Sequence, residues 1–343
     1  MSKKGIIFGY LIFVIIVVFL YFSFQRSSLL NEEVKTKIFA IEEGEGLKEI
    51  SDRLEDEGLI KNSKLFQIYA FLRNARSKFL PGEYHLEPGT GLKELVKVLI
   101  SQPLAPEAAV TIIEGLTNKE IAEVLEKEDL VGQEDFFTAL DEVSRDEELV
   151  GKYEFLPENW QNVAPKEKLQ GYLFPDTYRF YKQTTGRAVV QKMLENFDKK
   201  IDKQILNKIK ESGRTIYEVV TLASIIEKEA ALDQDRRLIA DIFWKRLDAG
   251  WVLESCATVN YILGNAKPRL SFEDTRIPSL YNTYLYVGLP PGPINNPSLS
   301  AIEAAINPLE NDYCCFLTGS DGQTIFSRTV EEHNRNKSIY FKQ

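Results

Sequence analysis

An uncharged apolar run near the start of the chain restricts where the rest of it can fold. Gly5 to Phe24 are 20 consecutive residues without a charge, and a helix of that length can cross a bilayer. A secretory signal peptide has a shorter apolar core of about 7–15 residues and a small-residue cleavage site. No A-x-A pattern follows Phe24, so the sequence predicts an uncleaved transmembrane anchor over 5–24. A buried core helix and a cleaved signal are the alternatives.

The charges beside this run predict its orientation. Lys3 and Lys4 precede it, whereas a single arginine, Arg26, follows it and is soon joined by two glutamates. Cytoplasmic flanks of membrane spans carry the excess of lysine and arginine. We therefore expect residues 1–4 to form a cytoplasmic tail and the chain after the anchor to be extracytoplasmic. The predicted location is the cell membrane, with one span.

The charge balance argues against several partners. Without the three basic residues that flank the apolar run, the chain holds 39 basic and 51 acidic residues, a net charge of −12. An acidic ectodomain is a poor partner for nucleic acid or for anionic lipid. The only two histidines are far apart in the sequence, so a zinc site or a Ser-His-Asp triad is poorly supported. We expect no metal and no cofactor.

The cysteines predict thiols rather than a disulfide framework. Their number is odd, with Cys256 alone and Cys314 and Cys315 adjacent, which rules out complete pairing. We expect buried, reduced thiols. Because neighbouring residues of a strand point to opposite faces, the side chains of Cys314 and Cys315 should diverge.

A short pattern occurs three times, at Gly44 to Leu54, Gly89 to Leu99 and Gly115 to Leu125. Each copy has a glycine, a Lys-Glu pair four residues later, and apolar residues four apart on one helical face. Each glycine follows an extended segment, so each copy predicts a strand–turn–helix unit. In the third copy, Thr117 and Glu120 fit a capping box.

These units predict an α+β fold in more than one domain. The first two copies belong to a small α+β module over 36–104, which resembles a LysM-like domain, a class that binds N-acetylglucosamine polymers. Glycan binding and a spacer role are both open for it. Pro103 marks a boundary, and a larger mixed α/β domain follows over 108–343. It divides into a subdomain over 108–182 and a core over 186–343, in which one amphipathic helix is expected over 186–212.

Two glutamates interrupt the apolar stretch "TLASIIEKEA", Thr221 to Ala230. At about 100° per residue, the apolar side chains beginning at Val219 form one core stripe. Glu227 and Glu229 then lie about 80° to either side of it, on opposite edges. A retaining glycosidase needs two carboxylates about 5–5.5 Å apart, so the pair is unsuited to a shared two-carboxylate site.

The neighbours one turn back favour Glu229 as the functional group. One turn before Glu229 the helix has Ile225 and Ile226, whereas one turn before Glu227 it has an alanine and a serine. A carboxyl against bulky apolar side chains loses hydration, which raises its pKa and suits it to act as a general acid near neutral pH. The alternative is that both glutamates are boundary residues paired with lysine or arginine.

Four longer motifs are similar to one known family. They are "TLASIIEKEA", "YNTYLYVGLPPGPINNPS" (Tyr281 to Ser298), "GYLFPDTY" (Gly171 to Tyr178) and "EEHNRNK" (Glu331 to Lys337). Together they resemble the YceG-like family, the endolytic murein transglycosylases, over nearly the whole chain. The resemblance implies a lytic transglycosylase that cleaves the β-1,4 bond between N-acetylmuramic acid and N-acetylglucosamine in nascent peptidoglycan strands and leaves 1,6-anhydro ends. It also implies penicillin-binding synthases and the wall elongation and division machinery as partners.

This chemistry is compatible with a single carboxylic acid. The acid protonates the leaving oxygen, and its carboxylate then takes the proton of the C6 hydroxyl that attacks C1, so no second carboxylate has to activate water. The resemblance implies that Glu229 is this acid/base, on a lysozyme-like active-site helix, with Glu227 as the less favoured alternative. The setting of Glu229 is similar to the I-x-x-x-E-[S/A] pattern of lysozyme-like transglycosylases.

The resemblance also suggests the lining of the glycan cleft. Tyr281, Tyr284 and Tyr286 offer faces for sugar stacking, and Asn282 can hydrogen-bond an acetamido or hydroxyl group. Glu254 is a further candidate for substrate binding. Shortly after it, the chain has Cys256 and Ala257 where some relatives carry aspartate and proline, which puts a role for those two positions in doubt.

Two rival functions are compatible with the same sequence. One is a muramidase-type hydrolase in which Asp233 or Glu254 activates water. The other is a membrane-tethered scaffold that binds wall glycan without cleaving it.

Overall fold

The computed structural model describes residues 36–340, apart from 43, 102–106, 157–162, 183, 266, 268 and 320–322. The predicted anchor over 5–24 and the tail before it lie outside the described residues. Within the described ranges, no helix combines the length and hydropathy needed to cross a membrane. The chain divides into two compact units, Met1–Glu107 and Ala108–Gln343.

The described part of the first unit is α+β and has its own apolar core. Two strands form an antiparallel sheet in which Phe39 pairs with Tyr84, and both rings are buried against Leu54 and Phe66 of the helices. The LysM-like character and glycan binding of this unit stay predictions. Its elements are β1 (Lys37–Ile41), α1 (Leu47–Asp56), α2 (Ser63–Leu72), β2 (Gly82–Leu86) and α3 (Leu92–Leu99).

The three copies of the sequence pattern are strand–turn–helix segments, as predicted. Between strand and helix, φ is 86° at Gly44, 87° at Gly89 and 76° at Gly115. Residues with a Cβ rarely adopt this left-handed conformation, which explains the glycine that begins each copy. The capping box of the third copy is confirmed, because Thr117 and Glu120 each accept a hydrogen bond from the other's backbone N–H.

The described residues of the second unit form mainly helices, with two small two-stranded sheets. One sheet joins β3 to β4, and the other is the antiparallel hairpin of β5 and β6 predicted at the end of the chain. The elements are β3 (Glu107–Thr111), α4 (Asn118–Lys127), α5 (Gln133–Arg145), α6 (Glu147–Lys152), β4 (Thr177–Tyr181), α7 (Gly186–Lys200), α8 (Lys203–Glu211), α9 (Ile216–Glu229), α10 (Asp233–Asp248), α11 (Cys256–Leu263), α12 (Leu299–Ile306), β5 (Cys315–Thr318), β6 (Thr324–Ser327) and α13 (Val330–Tyr340).

Helix α9 runs through the centre of this unit and carries both glutamates. Its start is fixed by a capping box between Thr215 and Glu218, which satisfies two otherwise unpaired N–H groups. Every residue from 219 to 226 is buried, and the helix contacts α10, α11 and α12. The expectation of one core stripe was therefore too narrow, since Thr221 and Ser224 on its flanks are fully buried too.

The prediction of a single helix over 186–212 is wrong. The structure has α7 and α8 instead, and α7 ends at Lys200. The Asp202 carboxylate accepts hydrogen bonds from the backbone N–H groups of Gln204 and Ile205, at 2.9 and 3.0 Å. An aspartate in this position starts a new helix, although the apolar periodicity continues across it.

The cysteines depart from their predicted placement in two ways. All three are free thiols, but only Cys315 is buried, and Cys256 is exposed. The sulfurs of Cys314 and Cys315 lie 3.0 Å apart, so their side chains do not diverge. Strand β5 begins at Cys315, which leaves Cys314 outside the strand alternation.

Candidate active site

A cleft of about 780 Å³ opens in the second unit at the C-terminal end of α9. Its wall combines residues from α4, from the 3₁₀ turn Pro165–Glu167, from α11 and from the loop that precedes α12. Glu229 is part of this wall, and Glu227 is not. The two glutamates therefore face different surroundings.

Glu229 is the last residue of α9, and its carboxyl lies partly buried in the cleft wall. Ser255 donates a hydrogen bond from Oγ to Glu229 Oε1 at 2.5 Å. Burial raises the pKa of Glu229, while the hydrogen bonds from the Ser255 hydroxyl and the Ala257 backbone N–H act in the opposite direction. The net shift is upward because lost hydration disfavours the charged form. This matches the property that a general acid requires.

Ser255 is held in place by a tight turn before α11. Glu254 adopts a φ of 53°, which is uncommon for a residue with a side chain, and its N–H donates to the carbonyl of Thr283 at 3.0 Å. The Ser255 N–H donates to Thr283 Oγ1 at 3.1 Å. Ser255 also caps α11 by accepting from the Ala257 N–H. The hydroxyl that contacts Glu229 is therefore fixed on both sides.

Glu227 is enclosed by protein and makes a different set of contacts. Its carboxylate accepts from Arg236 Nη2 at 2.9 Å, from the Ser298 backbone N–H at 2.8 Å and from the Ser298 hydroxyl. The Glu227 side chain is only 7% exposed. These contacts tie α9 to α10 and α12. Glu227 and Arg236 thus form an ion pair with a structural role.

Asn282, expected to bind sugar, is fully buried inside its own loop. Its Nδ2 donates to the carbonyls of Thr275 and Ile277 at 3.1 and 2.9 Å, and its Oδ1 accepts from the Tyr284 N–H at 3.0 Å. Both amide atoms are engaged with backbone, which does not favour the predicted sugar contact. Asn282 instead shapes the turn that presents the tyrosines.

The three candidate tyrosines have different positions. Tyr281 lines the cleft, with its ring centroid 4.9 Å from that of Tyr261. The Tyr284 hydroxyl is 3.1 Å from the Sγ of Cys256, another cleft residue, and burial raises the Tyr284 pKa well above its usual value. Tyr286 is about half-exposed and is not part of the described cleft wall. Sugar stacking by these residues stays a prediction, with Tyr281 the best placed.

The other carboxylates considered from sequence lie off the described cleft wall. Glu254 is ion-paired with Arg246, at 3.6 Å between Oε2 and Nη1. Asp233 is largely exposed and lies near Arg236 and Ser300. The structure brings neither carboxylate into the cleft beside Glu229.

Glu167 is a further carboxyl of the cleft wall that was not identified from the sequence. Glu167 ends the 3₁₀ turn, and burial raises its pKa, while a hydrogen bond with the Tyr261 hydroxyl opposes that shift. The same hydroxyl accepts from Gln170 Nε2 at 3.0 Å, and burial together with Glu167 raises the Tyr261 pKa to about 12. No motif distinguished Glu167 from the other surface glutamates.

Asn295 was also not identified from the sequence, although it lies inside the "GLPPGPINNPS" motif. It lines the cleft, is fully buried, and donates from Nδ2 to the Ser224 carbonyl at 2.6 Å. Its Oδ1 has no hydrogen-bond partner among the described residues. An unpaired buried acceptor costs roughly 1–3 kcal/mol, so Asn295 is held in the cleft wall at a cost in stability. In the described ranges, no three His, Cys, Asp or Glu side chains meet as metal ligands.

Comparison with known proteins identifies the family. The sequence model of the YceG-like family matches residues 39–339. The chain belongs to the YceG-like family. The matched range includes α9 and the loop before α12, and both contribute to the cleft.

Relatives with names and structures cover most of the chain. An endolytic murein transglycosylase of Streptococcus pneumoniae is 33% identical over 92% of this chain and 61% of that protein. One of Bacillus subtilis is 32% identical over 88% of this chain and 83% of that protein. The crystal structure of a YceG-like protein from Listeria monocytogenes is 31% identical, with a TM-score of 0.59 over 88% of this chain and 98% of that one. The chain thus spans less than two thirds of the pneumococcal relative's length.

Proposed function

We propose that this YceG-like chain is a membrane-anchored endolytic lytic transglycosylase of peptidoglycan. It cleaves the β-1,4 bond between N-acetylmuramic acid and N-acetylglucosamine within nascent strands and leaves 1,6-anhydro ends, which ends elongation of the strand. The names of the pneumococcal and B. subtilis relatives support murein as the substrate. The cleft supports an enzyme over a scaffold, because it holds a carboxyl whose pKa is raised.

The Glu229 carboxyl is the observation that carries the proposal. It is neutral at higher pH than an ordinary glutamic acid, so it can give its proton to the glycosidic oxygen of N-acetylglucosamine as the C1–O4 bond breaks. The resulting carboxylate takes the proton of the muramyl C6 hydroxyl, whose oxygen forms the new bond to C1. No water is consumed, and Glu229 is protonated again at the end.

Ser255 has a positioning role in this cycle. Its hydroxyl donates to Glu229 Oε1, which leaves Oε2 of the same carboxyl for the glycosidic oxygen. When Glu229 becomes a carboxylate, the same hydrogen bond stabilises the charge. Ser255 therefore stabilises the carboxylate form of Glu229 after it has given up its proton and before it takes the C6 proton.

The remaining parts of the proposal place the reaction at the cell surface. The apolar run over 5–24 anchors the chain, the 36–104 module is LysM-like and contacts glycan, and the partners are penicillin-binding synthases of the elongation and division machinery. These assignments are supported by the sequence patterns and by the family.

Product analysis tests the reaction. Purified sacculi or nascent strands digested by the wild type should give 1,6-anhydromuramyl ends by mass spectrometry, and Glu229→Gln should give almost none. Glu123→Gln is a matched control, since Glu123 lines the same cleft on α4 but is exposed and is 3.9 Å from Lys119. Reducing ends from the wild type, or undiminished digestion by Glu229→Gln, would overturn the proposal.

A hydrolase is the rival because the cleft holds another carboxyl with a raised pKa, that of Glu167. If Glu167 activated water, the wild type would release reducing ends and Glu167→Gln would lose them. We expect instead that Glu167→Gln keeps anhydro products, because Glu167 is engaged with the Tyr261 hydroxyl.

A further inference from the structure

Helix α2 of the first unit is apolar on the side that faces away from its core. Ser63, Phe66 and Ala70 point into the core and are buried. On the opposite side, Ile68 is 56%, Phe71 65% and Leu72 75% exposed, and Leu65 is about one-third exposed. A helix on the surface of a soluble domain normally carries polar residues there. Such an exposed apolar face marks an interaction site.

The segment that contains α2 is basic in an otherwise acidic chain. Between Gly58 and Gly82 there is no aspartate or glutamate, while the whole chain has a net charge of −9. Five basic residues in this segment are all exposed, namely Lys61, Lys64, Arg73, Arg76 and Lys78. One carboxylate from outside it comes close, since Glu55 of α1 accepts from the Ser63 N–H at 2.9 Å and lies beside Lys64.

Together these residues define a surface, the α2 face, which consists of the four exposed apolar residues and the five basic ones. Apolar side chains surrounded by lysine and arginine are typical of helices that lie in the headgroup region of a bilayer. The long stems of lysine and arginine can cover apolar surface while their charges reach phosphates. Two independent features, exposed apolar area and local charge, thus fit the same partner.

The chain length before the first unit favours the membrane over other occupants. Twelve residues separate the apolar run over 5–24 from Lys37, where β1 begins. Even fully extended, they span at most about 40 Å. If the run is the anchor, the α2 face is kept at a high effective concentration near the bilayer, so a weak affinity is sufficient for binding.

We propose that the α2 face docks onto the anionic phospholipid surface of the membrane that carries the anchor. Phe71 and Leu72 insert among the headgroups and upper acyl chains, and the five basic residues bind lipid phosphates. This docking goes beyond the proposed reaction and involves none of the cleft residues. The net charge of the whole chain predicts poor binding to anionic lipid. The proposal refines this prediction, because one segment of the acidic chain is basic.

Quenching of tryptophan by brominated lipid tests the proposal in the full chain. The reporter is Phe71→Trp, reconstituted in vesicles of phosphatidylcholine alone or of an equal mixture with phosphatidylglycerol, both with brominated acyl chains. The matched control is Ile38→Trp. Ile38 is 58% exposed on β1, and its side chain points away from the buried Phe39 side of the sheet. The wild type gives the background of the three native tryptophans.

We expect Phe71→Trp to be quenched in the mixed vesicles and Ile38→Trp to remain at background. Adding Lys61→Glu and Lys78→Glu to the reporter should weaken docking by more than about tenfold, since each basic residue contributes to binding at an anionic surface. Lys48→Glu with Lys93→Glu makes the same charge change at exposed positions of α1 and α3 and should leave quenching unchanged.

Three results would overturn the proposal. One is quenching of Phe71→Trp no stronger than that of Ile38→Trp. Another is a blue-shifted Phe71→Trp emission without bromine quenching, which would mean that protein covers the α2 face, either a second copy or the other unit. The third is an equal loss of quenching in both charge-reversal pairs. None of these readouts requires turnover, so they are separate from a failure of the proposed reaction.

Discussion

The surroundings of Glu227 and Glu229 form two similar arrangements with opposite consequences. Each glutamate accepts a hydrogen bond from a serine that caps a helix packed against α9, Ser298 before α12 for Glu227 and Ser255 before α11 for Glu229. Glu227 also has Arg236 as a charged partner, whereas Glu229 opens into the cleft and has a raised pKa. The presence of a cation separates a structural carboxylate from a group suited to proton transfer.

The largest expected contrast is in activity. Glu229→Gln should lower kcat by roughly 10²–10⁴-fold, the usual contribution of a general acid, because the amide has no proton to give. Glu227→Gln should keep most of the kcat per folded molecule. Release of soluble fragments from sacculi measures both rates. The reverse order of the two variants would show that Glu227 is the acid.

The second contrast is in stability and runs the other way. Glu227→Gln removes the buried partner of the Arg236 guanidinium and leaves it only the exposed Asp233, at 3.6 Å. Breaking a buried ion pair costs about 3–5 kcal/mol. Glu229→Gln should change the free energy of unfolding by far less, since the contacts described for Glu229 are hydrogen bonds from Ser255 and Ala257 and include no cation. Urea unfolding at neutral pH compares them. Equal destabilisation would mean that Glu229 is as structural as Glu227.

The two serines provide a smaller test with a built-in control. Ser255→Ala and Ser298→Ala should each cost about 1 kcal/mol of stability through the lost helix cap. Only Ser255→Ala removes a hydrogen bond that lowers the Glu229 pKa. Its pH–rate profile should therefore keep activity to higher pH, because the acid stays protonated longer. A shift of the same size in Ser298→Ala would contradict the assignment.

The smallest effect is the pH dependence of folding at Glu229. Its pKa in the folded protein is raised, so the folded state holds this proton at pH values where the unfolded state has released it. Stability from this group is present at low pH and is lost as the pH rises through the folded-state pKa. The Tm of the wild type minus the Tm of Glu229→Gln should therefore decrease from acidic to neutral pH. A constant difference would indicate an unshifted carboxyl.

Local periodicity and turn chemistry were enough to predict much of the fold. The three strand–turn–helix segments, the capping box at Thr117 and the terminal hairpin all depend on residues within about ten positions of one another. The same reasoning failed at Asp202, where an N-cap interrupted a continuous apolar pattern. It also failed at Cys314, which was expected inside the strand but lies before its first residue, Cys315.

By itself, the sequence determined that Glu227 and Glu229 diverge, because positions two apart on a helix point about 200° apart. It also contained the motifs of the YceG-like family. Only the tertiary structure decided what each carboxyl meets, since Arg236, Ser255 and Ser298 are brought to α9 by other elements. The packing of distant segments also places Glu167 and Asn295 in the cleft wall, whereas Asn282 is buried in its own loop. A helix period specifies a direction, whereas charge, burial and pKa depend on which distant segments pack in that direction.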